Sequence, residues 1–366
     1  MKRIVLVYGG SSTESEISIL TALKTYKELM KTNKNITLVY LDHEGNFYIG
    51  KELLNLESYS LKKNFIKVTF NKKKGKCYYS YHLKKKYFDF ALILGHGKNV
   101  EDGTLSSYFE VLKIPYLYDD LSNVSLLQDK VKTKMVFNSL NITQTKFKYI
   151  HKYQYDNFSF DSLNLNYPLI CKPSRLGSSI GIKKCNNFQE LKEGLLKGFM
   201  YDETMLIEEF IDSKIEYNIA LLGYENKIIV SDIEQVNQND QVLSFYDKYD
   251  YSKSNEKRVI KPKVSSLVKE EMINISKLVF NELNLCGLYR FDFIFDTKNE
   301  KLYLNELNTL PGSLAYYLFE SKGIRMVDLI LMYIDVLTLK NKNRIHLIDT
   351  FQEGFVSKVD LDKLKK

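Results

Sequence analysis

Arg290-Phe291-Asp292-Phe293-Ile294-Phe295-Asp296, answered by Leu302-Tyr303-Leu304-Asn305-Glu306-Leu307-Asn308, reads as the two strands of one hairpin. Side chains alternate faces along a strand, so Arg290 and Asp292 share one face while Phe291, Phe293 and Phe295 share the other. Glu306 and Asn308 share a face of the return strand by the same rule. A register pairing Asp296 with Leu302 sets Asp292 opposite Glu306 and Arg290 opposite Asn308. Three oxygen-bearing side chains and a guanidinium then converge on one patch above a phenylalanine core. Magnesium takes a few carboxylate or amide oxygens together with substrate phosphate, so the hairpin predicts a metal–nucleotide platform. A solvated strand face with paired charges is the plainer reading, and the ending NELNTLPG (305–312) argues against it.

Outward from the hairpin, the pattern divides the chain into three units. IVLVY (4–8), ITLVYLD (36–42) and FDFALIL (88–94) are buried-strand runs alternating with helical spacing at Ile17, Leu20, Leu23 and Leu29 and over 104–112. That alternation predicts an open, mostly parallel α/β sheet over residues 1–120, interrupted by a Lys-rich insertion of short strands at 50–86. Residues 121–206 read as a smaller α+β unit, with helices near 130–140 and 187–199 and strands near 147–150 and 168–172. Residues 207–340 read as a second α+β unit with a long helix over 264–283 and an amphipathic helix over 327–339. A charged tail (341–366) closes the chain.

Composition excludes several classes. The chain has 366 residues, 44% hydrophobic and 27% charged, with only 5 Pro and 17 Gly, so it is neither disordered nor collagenous. Cys77, Cys171, Cys185 and Cys286 form no C-x-x-C pair and the five histidines are scattered, which argues against structural zinc. No apolar run approaches the roughly 18 residues of a membrane span. The start MKRIVLVYGG has too short an apolar run for a signal peptide, and a reducing cytoplasm is expected. The charge of +8, from 53 basic and 45 acidic residues, accompanies a chain rich in Lys, Asn, Tyr, Phe and Ile and devoid of Trp. Its basic runs at 62–76 and 84–86 lack Arg, so they read as solvated faces and no nucleic-acid role is expected.

Two phosphate motifs fail. GNFYIGKE (45–52) has Glu52 where a P-loop needs Ser or Thr, and GHGKNV (95–100) ends in Val rather than Gly. KPSRLGSSIG (172–181) is a small-residue turn whose backbone could approach phosphate, although alone it reads as a hairpin loop. His96 and Glu101-Asp102-Gly103 follow strand FDFALIL at the end where open α/β sheets bind ligands. Gly9-Gly10-Ser11-Ser12-Thr13-Glu14 leaves a strand and enters a helix in the same way.

GGSSTESEIS, HGKNVEDG, KPSRLGSSIG, LIEEF and GLYRFDFIFD…LNELNTLPG, in this order, together resemble the D-alanine:D-alanine ligases of the ATP-grasp superfamily over about residues 1–335. The resemblance implies three α/β and α+β domains with ATP sandwiched between the second and third. It implies ATP-dependent joining of two D-alanines through a D-alanyl phosphate for peptidoglycan precursors, two magnesium (or manganese) ions, and a homodimer. Carried over residue by residue, Glu14, His96 and Ser178 lie at the first D-alanine. Lys130 and Lys172 hold ATP phosphates beneath Ser179, Glu208, Glu209 and Ile211 line the adenine, and Glu216 meets the ribose. Arg290 and the Gly312 backbone form the oxyanion site, and Asp292, Glu306 and Asn308 bind the metals. Departures from the family pattern are Val100 for Gly, Ser106-Ser107 for Gln-Gly, Tyr289 for a small residue, and Tyr317-Leu318 for a Ser-Leu pair at the second substrate's carboxylate. The family's D-[YF]-x-x-K-Y loop fits Ser244–Tyr249, which places Lys248 at phosphate and Tyr249 on Ser178 and Glu14; a second register starts at Asp247. A Tyr there implies an amine nucleophile. The rival readings are a ligase taking D-lactate or D-serine second, and a catalytically silent nucleotide-binding regulator.

Overall fold

The computed structural model describes residues 2–61, 64–236, 258–344 and 354. In the first unit β1 (Ile4–Gly9), α1 (Ser15–Leu29), β2 (Ile36–Leu41), β3 (Phe47–Ile49), α2 (Ser58–Leu61), β4 (Ile66–Lys73), β5 (Lys76–Tyr81), β6 (Lys84–Phe88), β7 (Phe90–Ile93), α3 (Thr104–Val111) and β8 (Tyr116–Leu117) follow in chain order. They build one eight-stranded sheet in the order β6-β5-β4-β3-β2-β1-β7-β8. β1 lies parallel to β2 and β7, and all six of its residues are buried, as an unbroken apolar run requires in a sheet covered on both faces. The Lys-rich insertion extends this sheet with antiparallel strands rather than standing apart. Its outermost strand exposes Lys84, Lys85 and Lys86 while burying Phe88, and charge at a free edge opposes pairing with another chain.

After α4 (Leu121–Gln128) and α5 (Lys130–Ser139), a four-stranded antiparallel sheet ordered β11-β10-β12-β9 is made by β9 (Phe147–His151), β10 (Leu169–Pro173), β11 (Lys183–Cys185) and β12 (Thr204–Glu209), with α6 (Phe188–Gly198) against β10 and β11. The third sheet, ordered β15-β14-β13-β16-β17, comprises β13 (Lys214–Tyr224), β14 (Lys227–Val236), β15 (Arg258–Ile260), β16 (Cys286–Asp296) and β17 (Lys301–Asn308). Two further helices complete the description, α7 (Ser266–Glu282) and α8 (Met326–Arg344). Among the described residues no helix is long and apolar enough to cross a membrane.

Two packing features depart from the division read in the sequence. Leu127 and Phe137, on the α4 and α5 assigned to the middle unit, share a core with Phe291, Phe293 and Leu304, because the phenylalanine face of β16 needs an apolar cover. Helix α8 carries Leu329, Ile330, Tyr333 and Leu337 into the core of the first sheet, so the first and third units share one apolar interior.

The hairpin register also needs one correction. Asp292 pairs with Glu306 and Arg290 with Asn308 as expected, but Asp296 pairs with Lys301, not Leu302. A β-bulge beyond Asp292 inserts Asn305 as an extra residue on β17. The bulge moves the buried positions from Leu302 and Leu304 to Leu307, and so brings Glu306 and Asn308 to the Arg290 face.

A buried ionic strut ties these units together. Lys340 of α8 pairs with Asp119 and lies 2.8 Å from Asp120, just after β8. Asp119 also accepts the Tyr289 hydroxyl and, at 3.0 Å, the Cys286 N–H. These contacts account for a residue as large as Tyr289 at this position. Removing one partner of a buried pair leaves an uncompensated charge, which costs about 3–5 kcal/mol. Lys340→Met should lower the unfolding free energy by about that amount, measured by urea denaturation of the full chain.

Candidate active site

A cleft of about 630 Å³ is lined by strands of the second and third sheets and, from the first unit, by α1 and the loops that follow β1 and β7. At its first end Glu14, immediately before α1, is buried and accepts the Ser178 hydroxyl at 2.5 Å. Ser178 and Ser179 hold left-handed φ values of +53° and +61°, a conformation that costs energy for residues with a Cβ and recurs at functional turns. Gly177 lets this turn approach, since a Cβ there would sit 2.7 Å from Glu14 Oε1. His96 is buried, with Nε2 3.1 Å from the Thr21 hydroxyl. Burial, and then the charge of Arg290, push its pKa down to about 4, so it is a neutral ring near pH 7. Glu101, quoted in the sequence only as part of EDG, is a further buried acid here. Burial and Glu14 push its pKa up to about 7, against the Gly97 N–H at 2.9 Å and the Thr309 hydroxyl at 3.0 Å.

The second end is built from lysines. Lys130 opens α5, donates to the Leu176 carbonyl at 2.6 Å and lies 4.0 Å from Glu306, so it spans the Ser178 turn and the hairpin. Lys172 lies 2.6 Å from Glu208 and 3.5 Å from Asn305 Oδ1. The other oxygen of Glu208 is 2.6 Å from Lys134 and accepts the Thr145 hydroxyl at 2.5 Å. Burial works to raise the Glu208 pKa, but Lys134 and Lys172 overcome it and hold the carboxyl at about 2. Glu208, expected along an adenine wall, is thus committed to two lysines, while Glu209, Phe210 and Ile211 line the neighbouring surface. Lys134 and Asn305 went unrecognised in the sequence, where one more lysine in a Lys-rich chain and a bulge residue carry no signal. Glu216 also lines the cleft, with Lys214 at 2.8 Å.

Between the two ends sits the face of the hairpin. Arg290 grips Asp292 with two bonds of 2.7 Å, and Asn308 Nδ2 donates to Asp292 at 2.9 Å. Burial, opposed by Arg290 and reinforced by Glu306, pushes the Asp292 pKa up. Among the described residues no three His, Cys, Asp or Glu form a metal cage. Two carboxylates and an amide therefore fit a hard divalent cation only when nucleotide oxygens complete its shell, which is how magnesium is usually held. Gly312 lines the same cleft at the start of a 3₁₀ turn (Gly312–Leu318). Tyr317 reaches the cleft and its hydroxyl donates to Glu234 at 3.2 Å. The Leu318 side chain is fully buried in the core of the first sheet, which leaves only its main chain for substrate. Lys248 and Tyr249 lie outside the described residues.

Residues 3–117 match the model described as D-ala D-ala ligase N-terminus, and residues 136–335 that described as D-ala D-ala ligase C-terminus. A D-alanine–D-alanine ligase of Thermosipho africanus is 34% identical over 364 residues, covering 96% of this chain and 98% of the relative. The chain belongs to the D-Ala–D-Ala ligase family. The crystal structure of a D-alanine-D-alanine ligase from Helicobacter pylori superposes with a TM-score of 0.73 at 26% identity, over 92% of this chain and 98% of that one. The VanG D-Ala:D-Ser ligase of Enterococcus faecalis shares the fold, with a TM-score of 0.77 at 24% identity over 92% of this chain and 99% of that one. The three-sheet α/β architecture is that of the ATP-grasp ligases.

The Glu208 pair sets a pH dependence. Its folded pKa lies below the ordinary carboxylate value of 4.5, so its stabilisation is present above 4.5 and fades as pH falls towards about 2. Glu208→Gln should destabilise the chain by about 3–5 kcal/mol at pH 7. Urea titrations of both proteins from pH 7 to pH 2.5 should show that difference closing below pH 4.5.

Proposed function

We propose that this ATP-dependent ligase joins two D-alanines into D-alanyl-D-alanine through a D-alanyl phosphate, for peptidoglycan precursors. The observation that carries the reading is the Glu14–Ser178 pair in the same cleft as Lys130, Lys172 and the Arg290 hairpin face. An anionic side chain for an ammonium group there lies near cations for phosphate, as phosphorylation of an amino acid's carboxylate requires. Glu14 takes the ammonium of the first D-alanine, with neutral His96 beside it. One carboxylate oxygen attacks the γ-phosphorus held by Lys130 and Lys172, the bond to the β-phosphate oxygen breaks, and ADP departs. The amine of the second D-alanine then attacks the acyl carbon. Arg290 and the Gly312 N–H meet the oxyanion; its collapse expels inorganic phosphate and leaves the peptide bond, the amine proton passing to solvent.

Asp292, Glu306 and Asn308 would hold two magnesium or manganese ions, which supply charge neutralisation on the transferring phosphoryl oxygens when bound. The remaining catalysis is positioning within a preorganised charge lattice. Glu209 and Ile211 would border the adenine, Glu216 the ribose, and Ser179 the phosphates. A cytoplasmic homodimer is the matching setting, where ATP and D-alanine are both at hand.

Phosphate release from ATP that depends on D-alanine tests the reading directly, and release without D-alanine, or none with it, contradicts ligation. Glu306→Gln keeps shape and removes a charge, so turnover should collapse while circular dichroism stays unchanged. Arg290→Lys changes a planar fork into a point charge. It should lower kcat by about 10²–10³, the usual effect of losing an oxyanion donor, with little change in ATP affinity by calorimetry.

A further inference from the structure

The acceptor amino acid brings a carboxylate as well as its amine, and a carboxylate entering a cleft needs a cation or donors. Four cleft cations are already engaged: Lys130 with the Leu176 carbonyl, Lys172 with Glu208, Lys214 with Glu216, and Arg290 with Asp292. Lys24 and Arg258 also line the cleft, and both stand on aromatic rings. Lys24 Nζ lies 4.2 Å from the ring centre of Tyr316, and the Arg258 guanidinium 5.4 Å from that of Tyr317. The two rings meet edge to face at 6.1 Å. Arg258 has a loose 3.5 Å approach to Glu234, far from the double grip that Arg290 makes on Asp292. Glu234 is fully buried and is fixed by Asn218 at 2.9 Å and by the Tyr317 hydroxyl at 3.2 Å. A carboxylate buried at that expense has a use: it orients the guanidinium lying over Tyr317.

We propose that Arg258, seated on Tyr317 and aimed by Glu234, anchors the carboxylate of the acceptor amino acid. Glu234 and Tyr317 are positioning residues, and Lys24 supplies a second positive charge on the same wall. The inference rests on the ligation reading and adds its acceptor specificity: an amino acid or hydroxy acid with a free carboxylate.

The experiment measures ATP-dependent product formation with D-alanine, D-alaninamide, D-serine and D-lactate as acceptors, at a D-alanine concentration that saturates the first site. Wild type should strongly prefer D-alanine over its neutral amide. A charged hydrogen bond contributes a factor of about 10–100. Arg258→Gln should therefore raise the acceptor KM about 10–100-fold, leave the ATP KM unchanged, and erase the preference over D-alaninamide. Arg258→Lys should restore part of that preference, which a merely structural role would not do. An Arg258→Gln protein that keeps the acceptor KM and the preference, or that loses ATP affinity equally, overturns the proposal. A wild type that releases no phosphate with D-alanine overturns the ligation reading itself and the proposal with it.

Discussion

Strand β16 is where one polypeptide segment must satisfy two opposed demands. Phe291 and Phe293 are fully buried against the cover provided by α4, α5 and α7, which fixes the strand's rotation. Strict alternation then forces Arg290 and Asp292 to the cleft. Neither charge could point elsewhere without exposing a phenylalanine. The bulge at Asn305 solves the matching problem on β17, where unbroken alternation would put Glu306 on the side of Leu302 and Leu304. One extra residue reverses the phase and gathers both carboxylates, the amide and the guanidinium on one surface.

Most of the charges around that surface have a partner within the protein before substrate arrives. Glu208 balances Lys172 and Lys134, Asp292 balances Arg290, and Ser178 closes on Glu14. A buried ion left alone would cost several kcal/mol, so pairing is what permits so many charges in one cleft. On the proposed reading, substrate would exchange these partners: phosphate would compete with Glu208 for Lys172, and a developing oxyanion with Asp292 for Arg290. Burial, opposed by Arg290 and reinforced by Glu306, raises the Asp292 pKa at the place where cation binding is proposed.

Much of this could be read from residues alone, because alternation and apolar periodicity are local. The parallel strands of the first sheet, the helix over 266–282 and the pairing of Asp292 with Glu306 all follow from spacing within one or two segments. Asn305 was not legible, because a bulge depends on how two strands fit against a shared core. Lys134 is not legible either, since its ion-pair partner Glu208 lies far along the chain. Tyr317 faces the cleft while the side chain of its neighbour Leu318 packs into the first sheet's core, a division that spacing alone does not show.

That turn shows how strain and burial hold each other in place. Ser313, Leu314 and Ala315 have φ values of +51°, +56° and +44°, positions that cost non-glycine residues about 1–3 kcal/mol each. Such a run persists only where its surroundings over-determine it. Leu314, Leu318 and Phe319 are fully buried, and burial of a large apolar side chain contributes about 1.5–3 kcal/mol, so the two effects are of equal size. The product is a chain that dips into the core, returns two consecutive tyrosines to the cleft, and dips again. The left-handed residues end at Ala315, immediately before Tyr316 and Tyr317, whose edge-to-face pair carries Lys24 and Arg258. The same turn begins at Gly312, just beyond Thr309, whose hydroxyl reaches Glu101 of the first unit. Movement of the first sheet relative to the third would therefore reach Gly312 and the Tyr316–Tyr317 pair through the Thr309–Glu101 bond.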